Sequence, residues 1–132
     1  VSCCGKNVIP GSGYDVVSTH YRYGDDKIVS AHADWTLNGD FGFEMGYKVN
    51  FEHGNVQFDG AAVKVNPNEG AGFTAELPED QGYYYQLKYF TEALVQGLRL
   101  DKAAPESTKG SIEIVTAELE SANQRGAWVA VP

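Results

Sequence analysis

The stretch FGFEMGYKVNF, at positions 41–51, alternates along its whole length between apolar residues and residues that are polar or glycine. The apolar positions are Phe41, Phe43, Met45, Tyr47, Val49 and Phe51. Because successive side chains of a strand point to opposite faces of a sheet, this pattern predicts a strand with one buried face. A clean alternation of this kind favours an antiparallel sheet that is covered on one side only.

Neighbouring segments predict the other strands of the same sheet, because they are rich in β-branched and aromatic residues or alternate in the same way. They lie at positions 15–23, 28–37, 55–59, 61–65 and 73–77. A two-residue turn at His53-Gly54 would continue the apolar face through Val56 and Phe58 and on to Val63. The whole middle of the chain is therefore predicted to form one antiparallel sheet.

The loop at positions 38–40 decides how the strands before and after it pair. A three-residue loop places Trp35 opposite Phe43, whereas a two-residue loop would place Asp34 there. Since a slip of one residue exchanges the two faces of a strand, burial of the apolar face favours the three-residue loop.

The opposite face of the predicted sheet is polar. In this register His20 lies opposite His32, and Asp34 lies opposite Glu44. Imidazoles and carboxylates that converge could hold a divalent transition metal, and a pair of carboxylates could act as acid and base. An open, wet sheet face neither fixes four ligands tightly nor raises the pKa of a carboxyl group. We therefore interpret this group as an ordinary polar or subunit-facing surface.

Two amphipathic helices are predicted near the C-terminus, the first ending at Gly97 and the second beginning at Pro105. Their apolar stripes, at helical spacing, are Tyr83, Leu87, Phe90 and Leu94 in the first, and Ile112, Val115, Leu119 and Ala122 in the second. Both stripes are expected to cover the apolar face of the sheet. The predicted fold class is α+β, with an open, mostly antiparallel β-sheet and two helices packed on one face.

The size and composition of the chain, 132 residues of which 42% are hydrophobic, suit one domain with its own core. Positions 1–14, which are polar and rich in glycine, are predicted as a leader, and positions 15–132 as the domain. Cys3 and Cys4 lie in that leader and are interpreted as unpaired thiols. The formal net charge of −8 argues against binding to nucleic acid or to an anionic membrane surface. No apolar run is long enough to cross a bilayer.

The order of these segments resembles the C-terminal domain of the Gfo/Idh/MocA family of NAD(P)-dependent oxidoreductases. The matching segments are YRYGDDKIV at 21–29, ADW at 33–35, HGNV at 53–56 and the helical segments at 79–97 and 105–122. The likeness covers nearly all of the chain from position 15 onward.

The resemblance implies a domain that walls the substrate pocket and mediates homo-oligomer formation in a cytoplasmic oxidoreductase acting on a sugar or polyol. The full-length protein would use NAD or NADP, held by a separate dinucleotide-binding domain through a Gly-rich turn that opens a helix. Here the glycines at 11–13 and 70–72 are interpreted as ordinary turns, and the family's Glu-Lys-Pro motif with its catalytic lysine is absent. No catalytic, cofactor-binding or metal-binding residue is therefore assigned in this chain.

By the same resemblance, aromatic residues at one end of the predicted sheet are candidates for lining the substrate pocket, and the polar face is the candidate oligomer face. The substrate-lining candidates are Trp35, Phe41 and Phe43, and the oligomer-face candidates are His20, His32, Asp34, Glu44, Gly46 and Lys48. One alternative function is a stand-alone, non-catalytic dimerisation module, because glycines on a sheet face let a second sheet approach closely. Another is a carbohydrate-binding domain that uses Trp35 as a sugar platform.

Overall fold

The structure, a computed structural model, describes residues 1–80, 82–102 and 104–132. The described residues form an α+β fold with two antiparallel sheets and two α-helices, which confirms the predicted class. The strands are β1 Ser2–Lys6, β2 Val16–Arg22, β3 Ile28–Asp34, β4 Tyr47–Phe51, β5 Gly54–Phe58, β6 Val63–Pro67 and β7 Phe73–Thr74. The helices are α1 Gly82–Gln96 and α2 Pro105–Asn123, and a 3-10 turn spans Gly39–Phe41.

The chain divides into two compact units. Unit 1 comprises residues 1–39 and 100–132, and unit 2 comprises residues 40–99. Unit 1 contains the three-stranded sheet β1-β2-β3, and unit 2 contains the four-stranded sheet β4-β5-β6-β7. The prediction that the strands between positions 15 and 77 form one sheet is therefore wrong.

The reason for the division lies in the stretch at positions 41–51. Its alternation predicts a strand from Phe41 onward, but the chain forms a 3-10 turn there and the strand begins only at Tyr47. Gly39 and Gly42 adopt φ values of 69° and 76°, in the left-handed region that interrupts a strand. The predicted pairing of Trp35 with Phe43 is consequently absent from the ladders of the described strands.

The N-terminal residues form a strand, so the prediction of a loose leader is wrong. β1 pairs with β2 along its whole length, and the side chain of Cys3 is only 2% exposed. Helix α2 packs against β1. Beyond the helix, Val129 and Val1 exchange two backbone hydrogen bonds of 2.7 and 2.8 Å. The first residues of the chain are therefore held between β2 on one side and the C-terminal segment on the other.

Helix α2 follows its predicted bounds, and three residues of its predicted stripe face the sheet, since Val115, Leu119 and Ala122 line a cavity together with Cys3 and Val17. Its buried residues are Ala117, Ser121 and Ala122, whereas Val115 and Leu119 of the predicted stripe remain half exposed. The segment after the helix also packs closely, because a Cβ placed on Gly126 would lie 3.0 Å from Cys4 Sγ. The fully buried contacts of α2 are therefore made by small side chains, while Val115 and Leu119 border the cavity.

Unit 2 carries the apolar face that the alternation predicts. Cross-strand pairs on this face include Tyr47 with Phe58 and Val49 with Val56, and β6 continues it. The apolar residues of this face are Tyr47, Val49, Phe51, Val56, Phe58, Val63, Val65, Pro67 and Phe73. The opposite face carries Lys48, Asn50, Asn55, Gln57, Lys64, Asn66 and Thr74. The predicted continuation of the face through β5 and β6 is confirmed.

Helix α1 ends as predicted, with Gly97 at φ 64° and the amide of Leu98 donating to the carbonyl of Ala93 over 2.8 Å. Its predicted cover of the apolar face is not found, because Leu87 and Leu94 are 67% and 61% exposed. The segment at 79–97 also includes Gln81, which lies outside the described residues.

Candidate association surfaces

The polar face of the unit 1 sheet carries three of the predicted oligomer-face residues. His20, His32 and Asp34 occupy alternate positions on neighbouring strands and share one face. His20 pairs with Ser30 rather than with His32, so the predicted register is wrong by two residues. The turn is centred one residue earlier than predicted, with Asp26 at φ 62° and the amide of Tyr23 donating to the carbonyl of Lys27.

Asp34 is the last residue of β3 on this face, and its carboxylate is hydrogen-bonded to the nearby Thr36. Its carboxylate accepts hydrogen bonds from the hydroxyl and the backbone amide of Thr36, at 2.6 and 2.8 Å. These bonds, the hydroxyl's first, hold the pKa of Asp34 below its usual value of 3.8, and the nearby His32 lowers it further. A carboxylate that is held ionised in this way is suited to fixing a turn and not to donating a proton near neutral pH.

The remaining oligomer-face candidates lie in unit 2. Lys48 stands on the polar face of β4, paired with Gln57, and Glu44 precedes the strand. A Cβ on Gly46 would lie 2.8 Å from the carbonyl oxygen of Phe58. The glycine thus permits a close approach within its own unit, which explains its position without a second protein. The predicted face is therefore divided between two units.

Metal ligation finds no support in the geometry. Within residues 1–80, 82–102 and 104–132, no group of three or more His, Cys, Asp or Glu side chains is placed to hold a metal ion. The predicted pairing of Asp34 with Glu44 depended on a strand at positions 41–46, which does not form.

The aromatic candidates for lining a substrate pocket are exposed. Trp35 follows β3, where its amide donates to the carbonyl of Asp15 over 2.9 Å, and its side chain is 76% exposed. Phe41 lies in the 3-10 turn and Phe43 in the loop after it, and both are exposed. Because a sugar platform has to be exposed, the exposure of Trp35 is compatible with the carbohydrate-binding alternative.

A cavity of about 150 Å³ lies in unit 1 between α2 and the sheet. It is lined by Cys3, Tyr14, Val17, Val115, Glu118, Leu119 and Ala122. At its edge the hydroxyl of Tyr21 donates to Glu118, and burial together with this carboxylate raises the pKa of Tyr21 to about 12. The sequence pattern does not reveal this cavity, because Cys3 lies in a segment whose strand signal is weak.

The apolar face of unit 2 is the most conspicuous surface of the described residues. Tyr47, Phe51 and Phe73 on this face are all more than half exposed. The other side of the same sheet is polar and can remain in contact with water. Covering the apolar side is therefore the change that would remove apolar surface from water. A contiguous apolar patch of this kind is typical of a surface that another protein covers.

No protein family, no curated protein and no solved structure was found to match this chain. Among the described residues, neither helix is both long and apolar enough to span a membrane.

Proposed function

We propose that this chain is the non-catalytic, partner-binding domain of a cytoplasmic NAD(P)-dependent oxidoreductase that acts on a sugar or polyol. The observation that carries the proposal is the uncovered apolar face of unit 2, formed by alternate residues of β4 to β7. The partner is the dinucleotide-binding domain of the same enzyme. The family resemblance of the sequence supplies the reaction class.

The energetics favour a covered face. Burying one large apolar side chain gains roughly 1.5–3 kcal/mol, and Tyr47, Phe51 and Phe73 each retain more than half of their surface for such a gain. Interfaces are enriched in aromatic anchors of this type. A single docked surface would therefore gain several kcal/mol from these three side chains alone.

The position of the glycine-rich turns supports the assignment of dinucleotide binding to the partner domain rather than to this chain. The turn at positions 11–13 leads into β2, and the turn at positions 70–72 leads into β7. A dinucleotide pyrophosphate is typically held where such a turn opens a helix, because the free amides and the helix dipole meet there. We therefore assign dinucleotide binding to the partner domain, and we keep Phe41 and Phe43 of unit 2 as the residues proposed to face the substrate.

The test begins with the reading frame that encodes these 132 residues. If it also encodes a strand followed by Gly-x-Gly-x-x-Gly, that segment is produced separately and titrated into this chain by calorimetry. We expect binding that Val49→Lys weakens at least tenfold, because Val49 lies on the apolar face of β4. The matched control is Asn50→Lys, which adds the same charge to the polar face of the same strand and leaves binding unchanged.

Three outcomes would overturn the proposal. The first is a reading frame without a dinucleotide-binding segment. The second is equal binding by Val49→Lys and Asn50→Lys, which would place the contact elsewhere. The third is micromolar binding of NAD or NADP by this chain alone, since the proposal gives that task to the partner.

A further inference from the structure

Among the described residues, no strand pairs with the outer edge of β3. Hydrogen bonds between Tyr23 and Lys27 and between Trp35 and Asp15 flank the β2–β3 ladder, and both join odd-numbered residues. Because residues of an antiparallel ladder alternate in the direction of their backbone groups, the odd-numbered residues of β3 face β2. The even-numbered residues, Ile28, Ser30, His32 and Asp34, therefore direct their N–H and C=O groups outward.

This edge lacks the usual protection against pairing. β3 is the last strand of its sheet, and all its residues except Asp34 are exposed. Its sequence, IVSAHAD, contains no lysine, arginine, glutamate or proline, its one carboxylate is Asp34 at the last position, and its register with β2 runs without a bulge. The first strand of the unit 2 sheet, β4, is shorter and carries Lys48. Of these two edges, β3 is the one that accepts a further strand.

We propose that β3 pairs antiparallel with β3 of a second copy of this chain, so that two three-stranded sheets become one sheet across a two-fold axis. The axis passes beside Ala31. In that register Ser30 meets His32 of the second copy and Ile28 meets Asp34, so every outward-facing backbone group of β3 gains a partner. A shift of the axis by two residues would leave some of these groups unpaired.

The side chains suit this register. Ala31 meets its own copy at a non-hydrogen-bonded position, where the Cα atoms are about 4.5 Å apart and small side chains fit. Ala33 meets Val29. No two like charges stand directly opposite, because Asp34 faces Ile28 and His32 faces Ser30. The pairing depends on the backbone of β3 and not on the apolar face of unit 2, so it does not rest on the oxidoreductase proposal.

A disulfide test locates the axis. In a Cys4→Ser background, which removes the exposed native thiol, Ala31→Cys is expected to form an intermolecular disulfide on mild oxidation. Ala33→Cys is the matched control on the same strand. Its two copies would lie about 13 Å apart, beyond the reach of a disulfide. Equal cross-linking of the two variants, or none by Ala31→Cys, would overturn the proposal.

Sedimentation tests whether the edge backbone carries the contact. The wild-type chain is expected to form a dimer between micromolar and millimolar concentration. Ser30→Pro removes one outward N–H and leaves the β2 ladder intact, so it is expected to weaken the dimer at least tenfold, whereas Ser30→Ala leaves it unchanged. Ala31→Lys places two cations next to each other at the axis and is also expected to weaken the dimer. Because it leaves the backbone N–H in place, its effect does not depend on introducing a proline. A wild-type monomer, or a dimer that persists in both Ser30→Pro and Ala31→Lys, would contradict the proposal.

Discussion

The hydroxyl group of Ser121 joins helix α2 to the N-terminal strand. Its Oγ accepts a hydrogen bond from the backbone nitrogen of Cys3 over 2.8 Å and donates one to the carbonyl oxygen of Ala127 over 2.6 Å. Ser121 is 0% exposed. Because both partners are backbone groups, one buried side chain holds β1, α2 and the C-terminal segment together.

Replacing this hydroxyl should destabilise unit 1. Ser121→Ala leaves the amide of Cys3 and the carbonyl of Ala127 without their partner, and a buried polar group left unsatisfied costs roughly 1–3 kcal/mol. We expect the free energy of unfolding to fall by about 2 kcal/mol, measured by urea denaturation. Ser111→Ala, at an exposed position of the same helix, should change it by less than about 0.5 kcal/mol. Equal effects of the two substitutions would refute the assigned role.

The contact between Tyr21 and Glu118 gives a spectroscopic prediction. Burial, followed by the neighbouring carboxylate, raises the pKa of Tyr21 to about 12, while an unfolded phenol titrates near 10. Because the raised pKa favours the folded state below pH 10, this stabilisation is lost as the pH rises through 12. An ultraviolet titration should show a late-titrating phenol that is absent in Tyr21→Phe. Glu118→Gln should lower the pKa of Tyr21, so that its phenol titrates at a lower pH. An unchanged titration would contradict the contact.

The sequence predicted the faces of the strands better than their partners. Alternation assigned Val49, Val56 and Val63 to one face, because side-chain direction depends only on position parity along the strand. The register of the first hairpin was wrong by two residues, a slip that preserves parity. The observed register depends on the left-handed conformation of Asp26, and neither composition nor alternation reveals that conformation.

The sequence could not reveal that the N-terminal segment is structural. Its strand signal is weak, since Ser2–Lys6 contains glycine and small polar residues. What holds it is a long-range contact, because Ser121 lies 118 positions from Cys3. The cavity beside Cys3 was missed for the same reason, and the candidate oligomer face was predicted as one surface because the break at Gly42 was not foreseen.

A glycine in the first hairpin of unit 2 is required by close packing. A Cβ on Gly54 would lie 2.5 Å from the carbonyl oxygen of Asn66 and 2.9 Å from Cα of Pro67, and both atoms belong to the neighbouring backbone. Gly54→Ala should therefore cost roughly 1–3 kcal/mol of stability, the usual range for overpacking. Gly13→Ala is the control, because a Cβ there meets nothing within 4 Å. Thermal unfolding of both variants tests this, and a neutral Gly54→Ala would show that β6 moves away freely.

The loop before β2 should make unit 1 sensitive to acid. The carboxylate of Asp15 accepts hydrogen bonds from the amides of Val8 and Ile9, each 2.7 Å long, and one from the hydroxyl of Ser12. The bond from Ile9, then those from Ser12 and Val8, hold the pKa of Asp15 below 3.8. Because the folded state thus favours the ionised form, its stabilisation is complete well above pH 3.8 and is lost as the pH falls through the lowered pKa.

Asp15→Asn separates this contribution from the general effect of acid. The amide cannot ionise, so the variant should be less stable than wild type near neutral pH, and the difference should shrink as the pH falls below 3.8. Urea unfolding at a series of pH values measures the difference, and a carboxyl-carbon titration measures the pKa directly. Asp26→Asn, which removes a carboxylate from the exposed turn of the first hairpin, is the matched control. A constant difference between Asp15→Asn and wild type across this range would mean that the carboxylate does not hold the loop through its charge.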